Sequence, residues 1–122
     1  MKFGENMQLL IVSFVGDLNR GECMDLTIKI TETIGLHIPV SCTICDYPTN
    51  QGKGGVGFTF FQPITESFIV WDIWSELKGG YLIICSCKLF WVPTVIKILR
   101  KNQLEPMVVK SEYLCLNPLG EL

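Results

Sequence analysis

The chain has 122 residues, a formal net charge of −2 and a pI near 5.3, which points to one domain spanning residues 1–122 and excludes the massed positive charge of a nucleic-acid binder. It is 48% hydrophobic with a mean hydropathy of +0.36, yet its longest apolar stretch, Tyr81 to Ile98, is broken by Lys88 and Pro93, so no membrane span is expected. Apolar Met7 to Gly16 imitates a signal peptide, but Glu5 and the lack of a small-residue cleavage site argue against one, and a cytoplasmic location is expected.

Gln8 to Val15 is a continuous apolar run and reads as a buried strand ended by Gly16-Asp17. Asn19 then stands as a helix N-cap with Glu22 in the capping-box position. Cys23, Leu26, Ile30 and Ile34 follow at helical spacing, and Gly35 supplies the stop. Leu36 to Cys45 is β-rich and predicts a second strand containing His37, the only histidine; beside Leu and Ile it reads as structural. Asp46 to Gly57, rich in Gly and Pro, reads as a loop, and Lys53 within it lacks the following Ser/Thr and helix of a phosphate loop.

Three strands are predicted next, over Phe58–Ile64, Ser67–Trp74 and Gly80–Cys87. Pro93 opens a second helix, with Val92, Val95, Ile96 and Leu99 apolar and Lys97, Arg100 and Lys101 on the wet side. Met107–Leu116 reads as a last strand. The order β-α-β-β-β-β-α-β predicts an α+β fold: a two-layer sandwich of a mainly antiparallel sheet with two helices on one face. The strands are apolar at both parities, so the uncovered face calls for a partner, at least a homodimer. Cys42-x-x-Cys45 with Cys85-x-Cys87 has the count of a four-thiolate zinc site, but the pairs lie in β-like runs, and reduced thiols with no metal are expected.

Between two apolar runs stands Glu66-Ser67, followed by Ile69, Trp71, Trp74, Glu76 and, further on, Cys87. A Ser hydroxyl can attack the carbonyl of the peptide bond before it when that carbonyl is polarised. This arrangement resembles the small prokaryotic-type S-adenosylmethionine decarboxylase proenzyme family, whose signature runs roughly Glu-Ser-His-apolar-x-apolar-His-x-Trp-Pro-Glu and then a strand ending Thr-Cys-Gly. The six residues from Glu66 to Glu76 and Cys87 match in place without a gap. Phe68 and Asp72 replace the two His, Ser75 replaces Pro, and Lys88 replaces the Gly after the Cys, which marks a divergent member.

The resemblance implies self-cleavage between Glu66 and Ser67, with Ser67 becoming a pyruvoyl group that caps the downstream chain. That group would condense with a substrate's amine as a Schiff base and draw electrons from the departing carboxylate. Cys87 would be the acid that reprotonates the product carbon. Thr59 falls at a processing Ser and could donate to the carbonyl under attack. Asp72 would stand in as a base for the missing His, although a carboxylate is the weaker base at neutral pH. Glu76 would grip the ribose hydroxyls, and Tyr47, with Pro48, would stack on adenine. The implied activity is decarboxylation of S-adenosylmethionine in spermidine biosynthesis, with protomers pairing into a four-layer sandwich. Ornithine or arginine is the alternative substrate, and a non-catalytic paralogue that regulates an active partner is the alternative class. A regular strand would put residues 67 and 72 about 16 Å apart on opposite faces, so their contact needs a bend or bulge.

Overall fold

The computed structural model describes residues 6–47 and 56–116. Alternation along the strands decides which side of the sheet is buried. In β1 (Asn6–Val15), Gln8, Leu10, Val12 and Phe14 are buried, while Met7, Leu9, Ile11 and Ser13 are half-buried. The chain continues through α1 (Arg20–Ile34), β2 (Thr43–Tyr47), β3 (Gly57–Ile64) and β4 (Ser67–Trp74). A single 3-10 turn (Ser75–Leu77), β5 (Gly79–Ser86), α2 (Val92–Lys101) and β6 (Glu105–Cys115) complete it. The six strands form one sheet in the order β2-β3-β4-β5-β1-β6, and each neighbouring pair is antiparallel. With both helices packed on one face, this is the α+β two-layer architecture and element order that the sequence predicts.

Helix α1 begins and ends where its caps dictate. Asn19 Oδ1 accepts from Glu22 N–H at 2.8 Å, and Glu22 Oε1 accepts from Asn19 N–H at 3.0 Å, a closed capping box. Gly35 ends the helix at φ 77°, a left-handed conformation that glycine takes without steric cost. Its inner side, Cys23, Leu26, Thr27 and Ile30, lies against the sheet. There Trp71 is fully buried, meets Phe14 edge-on at 5.8 Å between ring centres, and donates its indole N–H to Thr27 Oγ1 at 2.8 Å. From α2, Val95, Ile98 and Leu99 enter the same core.

The second strand is shorter than expected. Only Thr43–Tyr47 pairs with β3, so residues 36–42 are not strand, while Asp46 and Tyr47 belong to β2 and not to a loop. Pro39 has no N–H to give a ladder. The rest of 36–42 satisfies its backbone elsewhere: His37 O accepts from Thr65 N–H at 2.9 Å, and Val40 O from Gln62 Nε2 at 2.9 Å. The Gly-rich stretch from Pro48 to Gly55 lies outside the described residues.

The other side of the sheet is covered by no element among the described residues. Cross-strand rows run over it: Phe61, Val70, Ile83 and Ile11 in one, Phe68, Cys85 and Leu9 in the next. Phe61 and Phe68 meet with tilted rings at 5.9 Å, and Trp74 meets Tyr81 edge-on at 5.5 Å.

Removing the Trp71 indole should cost about 3–5 kcal/mol as Trp71→Ala, because a large filled volume is emptied. Thr27→Val, which keeps the shape but leaves the indole N–H unpaired, should cost about 1–3 kcal/mol. Urea unfolding of the two variants checks the order, and equal losses would mean that the hydrogen bond, not the packing, dominates.

Candidate functional site

Strands β3 and β4 are joined by a turn of only two residues, Thr65 and Glu66, with Ile64 opposite Ser67. Ser67 therefore opens β4, in extended backbone (φ 159°), directly after the turn. On its other side it faces Ser86, the fully buried last residue of β5. Ser86 Oγ accepts from Lys88 N–H at 2.9 Å and donates to Lys88 O at 2.6 Å, which turns the chain immediately after the strand. That turn carries Cys87 to the hairpin, where its N–H donates to the Glu66 carbonyl at 3.0 Å. The carbonyl of the Glu66–Ser67 bond is thus already held by a backbone donor, and Ser67 and Cys87, 20 residues apart in sequence, flank it.

Sequence reading assigned no functional part to His37, yet it sits at this bond. Its ring Nδ1 lies 2.8 Å from Glu66 Oε2, and its N–H donates to Glu66 Oε1 at 2.9 Å. Burial pushes the Glu66 carboxyl pKa up, but hydrogen bonds from the His37 ring, the His37 N–H and its own N–H outweigh burial and hold it below its ordinary value. The carboxylate accepts and cannot donate, so Nδ1 carries the hydrogen. A lone His in an apolar stretch carried no signal of this, because its partner is 29 residues away and is brought near only by the hairpin.

A second cluster lies further along the strands. Thr59 donates to Asp72 Oδ1 at 3.1 Å, and Tyr47 OH lies 2.9 Å from Thr59 Oγ1, so β2, β3 and β4 each contribute one member. The register of β4 against β3 and β5 runs unbroken from Ser67 to Trp74. No bulge brings Asp72 towards Ser67. Five residue steps of strand, about 16 Å, separate them, and they fall on opposite faces. Thr59 is likewise occupied with Asp72 and is not placed at the Glu66 carbonyl of its own chain. Glu76 is exposed in the 3-10 turn beyond Trp74, further still from Ser67.

All six cysteines are free. Among the described residues no group of three or more His, Cys, Asp or Glu side chains is gathered as metal ligands. No helix among them is long and apolar enough to cross a membrane.

No family model matches the chain, and no curated protein matches it. Its fold is that of a solved structure, the crystal structure of the adenosylmethionine decarboxylase from Aquifex aeolicus VF5, with a TM-score of 0.60 over 94% of this chain and 92% of that one. The two are 15% identical, and at that distance the likeness establishes a shared α+β fold with a six-stranded antiparallel sheet and two helices.

Proposed function

We propose that this chain is a self-processing, pyruvoyl-dependent decarboxylase, with S-adenosylmethionine as its substrate and Ser67 as the precursor of the pyruvoyl group. The observation that carries this reading is the Cys87 N–H on the Glu66 carbonyl, beside Ser67, in a chain with the fold of an adenosylmethionine decarboxylase. A backbone donor aimed at a carbonyl oxygen stabilises the charge that grows there when a nucleophile attacks.

In the proposed cleavage, Ser67 Oγ attacks the Glu66 carbonyl carbon, the C–N bond breaks, and the hydroxyl proton passes to the freed amine, leaving an ester. A base then takes the Ser67 α-proton, the Cβ–Oγ bond breaks, and the upstream chain departs with Glu66 as a free carboxylate. The remaining enamine tautomerises, and water displaces ammonia to leave the pyruvoyl group on residues 67–122. Once formed, that group supplies an electron sink for loss of CO₂ from an amino-acid substrate. Cys87, adjoining the bond, is assigned the proton returned to the product carbon.

The outer cluster needs a second copy of the chain to take part. The seven steps from Ser67 to Trp74 span about 23 Å of strand, too far for one small substrate to touch both ends. A homodimer closed over the apolar sheet face through Phe61, Phe68, Val70 and Ile83 would bury that surface. It would also set Asp72, Thr59 and Tyr47, which share that face, towards the turn end of the partner's β4, where Ser67 opens the strand. Ornithine or arginine remains the alternative substrate. A non-catalytic paralogue is favoured by Phe68 and Asp72 at the family's His positions and by the Thr59–Asp72 bond lying away from Ser67.

Denaturing mass measurement should resolve the purified protein into fragments 1–66 and 67–122, the second blocked to Edman degradation. One full-length species after long incubation would reject the decarboxylase in favour of the paralogue. In the cleaved enzyme, Cys87→Ala should still process but lose clean decarboxylation, with the pyruvoyl group converted to alanine as it misprotonates. Cys85→Ala, two residues before Cys87 and with its thiol against Met7 Sδ at 3.2 Å, is the control. Equal CO₂ release from the Cys87→Ala variant and the parent would remove Cys87 from the chemistry. Sedimentation equilibrium should give a dimer mass for the parent and a monomer mass for Val70→Lys, and a monomeric parent would exclude the shared site.

A further inference from the structure

The hairpin turn at the proposed cleavage bond is held from outside by one segment, the stretch after α1. His37 makes three hydrogen bonds to it: its carbonyl accepts from Thr65 N–H at 2.9 Å, its N–H donates to Glu66 Oε1 at 2.9 Å, and its ring Nδ1–H donates to Glu66 Oε2 at 2.8 Å. From the opposite direction Cys87 N–H holds the Glu66 carbonyl at 3.0 Å. Glu66 is therefore gripped at its side chain by one segment and at its main chain by another. The Glu66 side chain is 10% exposed, whereas that of His37 is 69% exposed. A hydrogen bond made by so exposed a ring is largely offset by water and adds little to stability.

We infer that His37 is a positioning residue for cleavage of the Glu66–Ser67 bond: it fixes the Glu66 carboxylate, and with it the plane and direction of the carbonyl that Ser67 attacks. The chemistry of that attack makes alignment decisive. Ser67 Oγ must reach the carbonyl carbon of the residue immediately before its own, through a small ring in which a rotation of the peptide plane moves the carbonyl out of line. A misplacement of about 1 Å can slow such a step about a hundredfold. The Glu66 carbonyl is held from one side by the Cys87 N–H, and the Glu66 side chain is the handle by which His37 restrains the residue from the other. Lys88 fixes the same segment from behind, since its Nζ donates to Gly35 O at 2.9 Å, two residues before His37. The role rests on the cleavage proposed above. What it adds is that the chain's single histidine, outside β4, controls the rate of that step.

The test measures self-cleavage by intact mass over time in the parent, His37→Ala and His37→Asn. The Asn side-chain N–H stands close to where Nδ1–H stood, so it can keep the bond to Glu66 without an imidazole. The expected result is that His37→Ala cleaves about tenfold to a hundredfold more slowly, while His37→Asn stays within a few fold of the parent. In the uncleavable Ser67→Ala background, His37→Ala should leave the melting temperature nearly unchanged, which separates positioning from a loss of fold. A parent that cleaves alongside an equally fast His37→Ala, or a His37→Asn as slow as His37→Ala, would overturn the role of His37 alone. A slowed His37→Ala that also melts far below its background would overturn it in favour of a purely structural clamp. A parent that never cleaves would overturn the cleavage reading itself and this role with it.

Discussion

Strand β4 is paired along its whole length to β3 on one side and β5 on the other, and this unbroken register constrains most of what the molecule can do. It leaves no bulge through which a side chain could change face. Ile69, Trp71 and Ile73 are committed to the helix side, and Phe68, Val70, Asp72 and Trp74 to the open side. The indole of Trp71 anchors α1 through Thr27, so the helix layer is registered against the strand as firmly as the strand is against its neighbours. The same regularity places Ser67 at one end of the strand and Asp72 far along it. Two polar clusters result where a bend would have made one.

The Ser67 end is organised by backbone more than by side chains. A two-residue turn sets the Glu66 carbonyl just before β4, and the tight turn after β5, closed by Ser86 and Lys88, delivers the Cys87 N–H to it. Main-chain donors of this kind are positioned by the fold itself and need no reorganisation when charge develops. The side-chain contribution comes from His37, whose segment fails to become strand and docks on the turn instead. The shortening of β2 and the clamp on Glu66 are thus one structural event.

The Tyr47–Thr59–Asp72 cluster lies on an apolar face that nothing described in the chain covers. Hydrogen bonds among the three satisfy them at little cost while the face is wet, and they would be retained if it were closed. The cluster therefore shares the open face with Phe68 and Val70, whereas Ser67 follows the helix-side parity of Ile69 and Trp71 at the far end of the strand.

Much of the fold was legible in the amino-acid order, because it rests on local rules. The Asn19–Glu22 box and Gly35 bound α1 as written, and the apolar runs placed β3, β4 and β5 within a residue of their observed ends. Glu66-Ser67 and Cys87 were also legible as a group, and the structure brings them together around one carbonyl. Three things were decided only in three dimensions. Residues 36–42 look β-rich, but Pro39 and the nearby hairpin turn offered their backbone other partners than a ladder. His37 read as a structural residue, since nothing local announces a carboxylate 29 positions away. The separation of Asp72 and Thr59 from Ser67 hung on whether β4 is regular, and regularity is a property of two flanking strands, not of the strand's own residues. Caps, turns and alternation act over a few residues and can be read in order; which distant groups share a hydrogen bond depends on how the sheet closes.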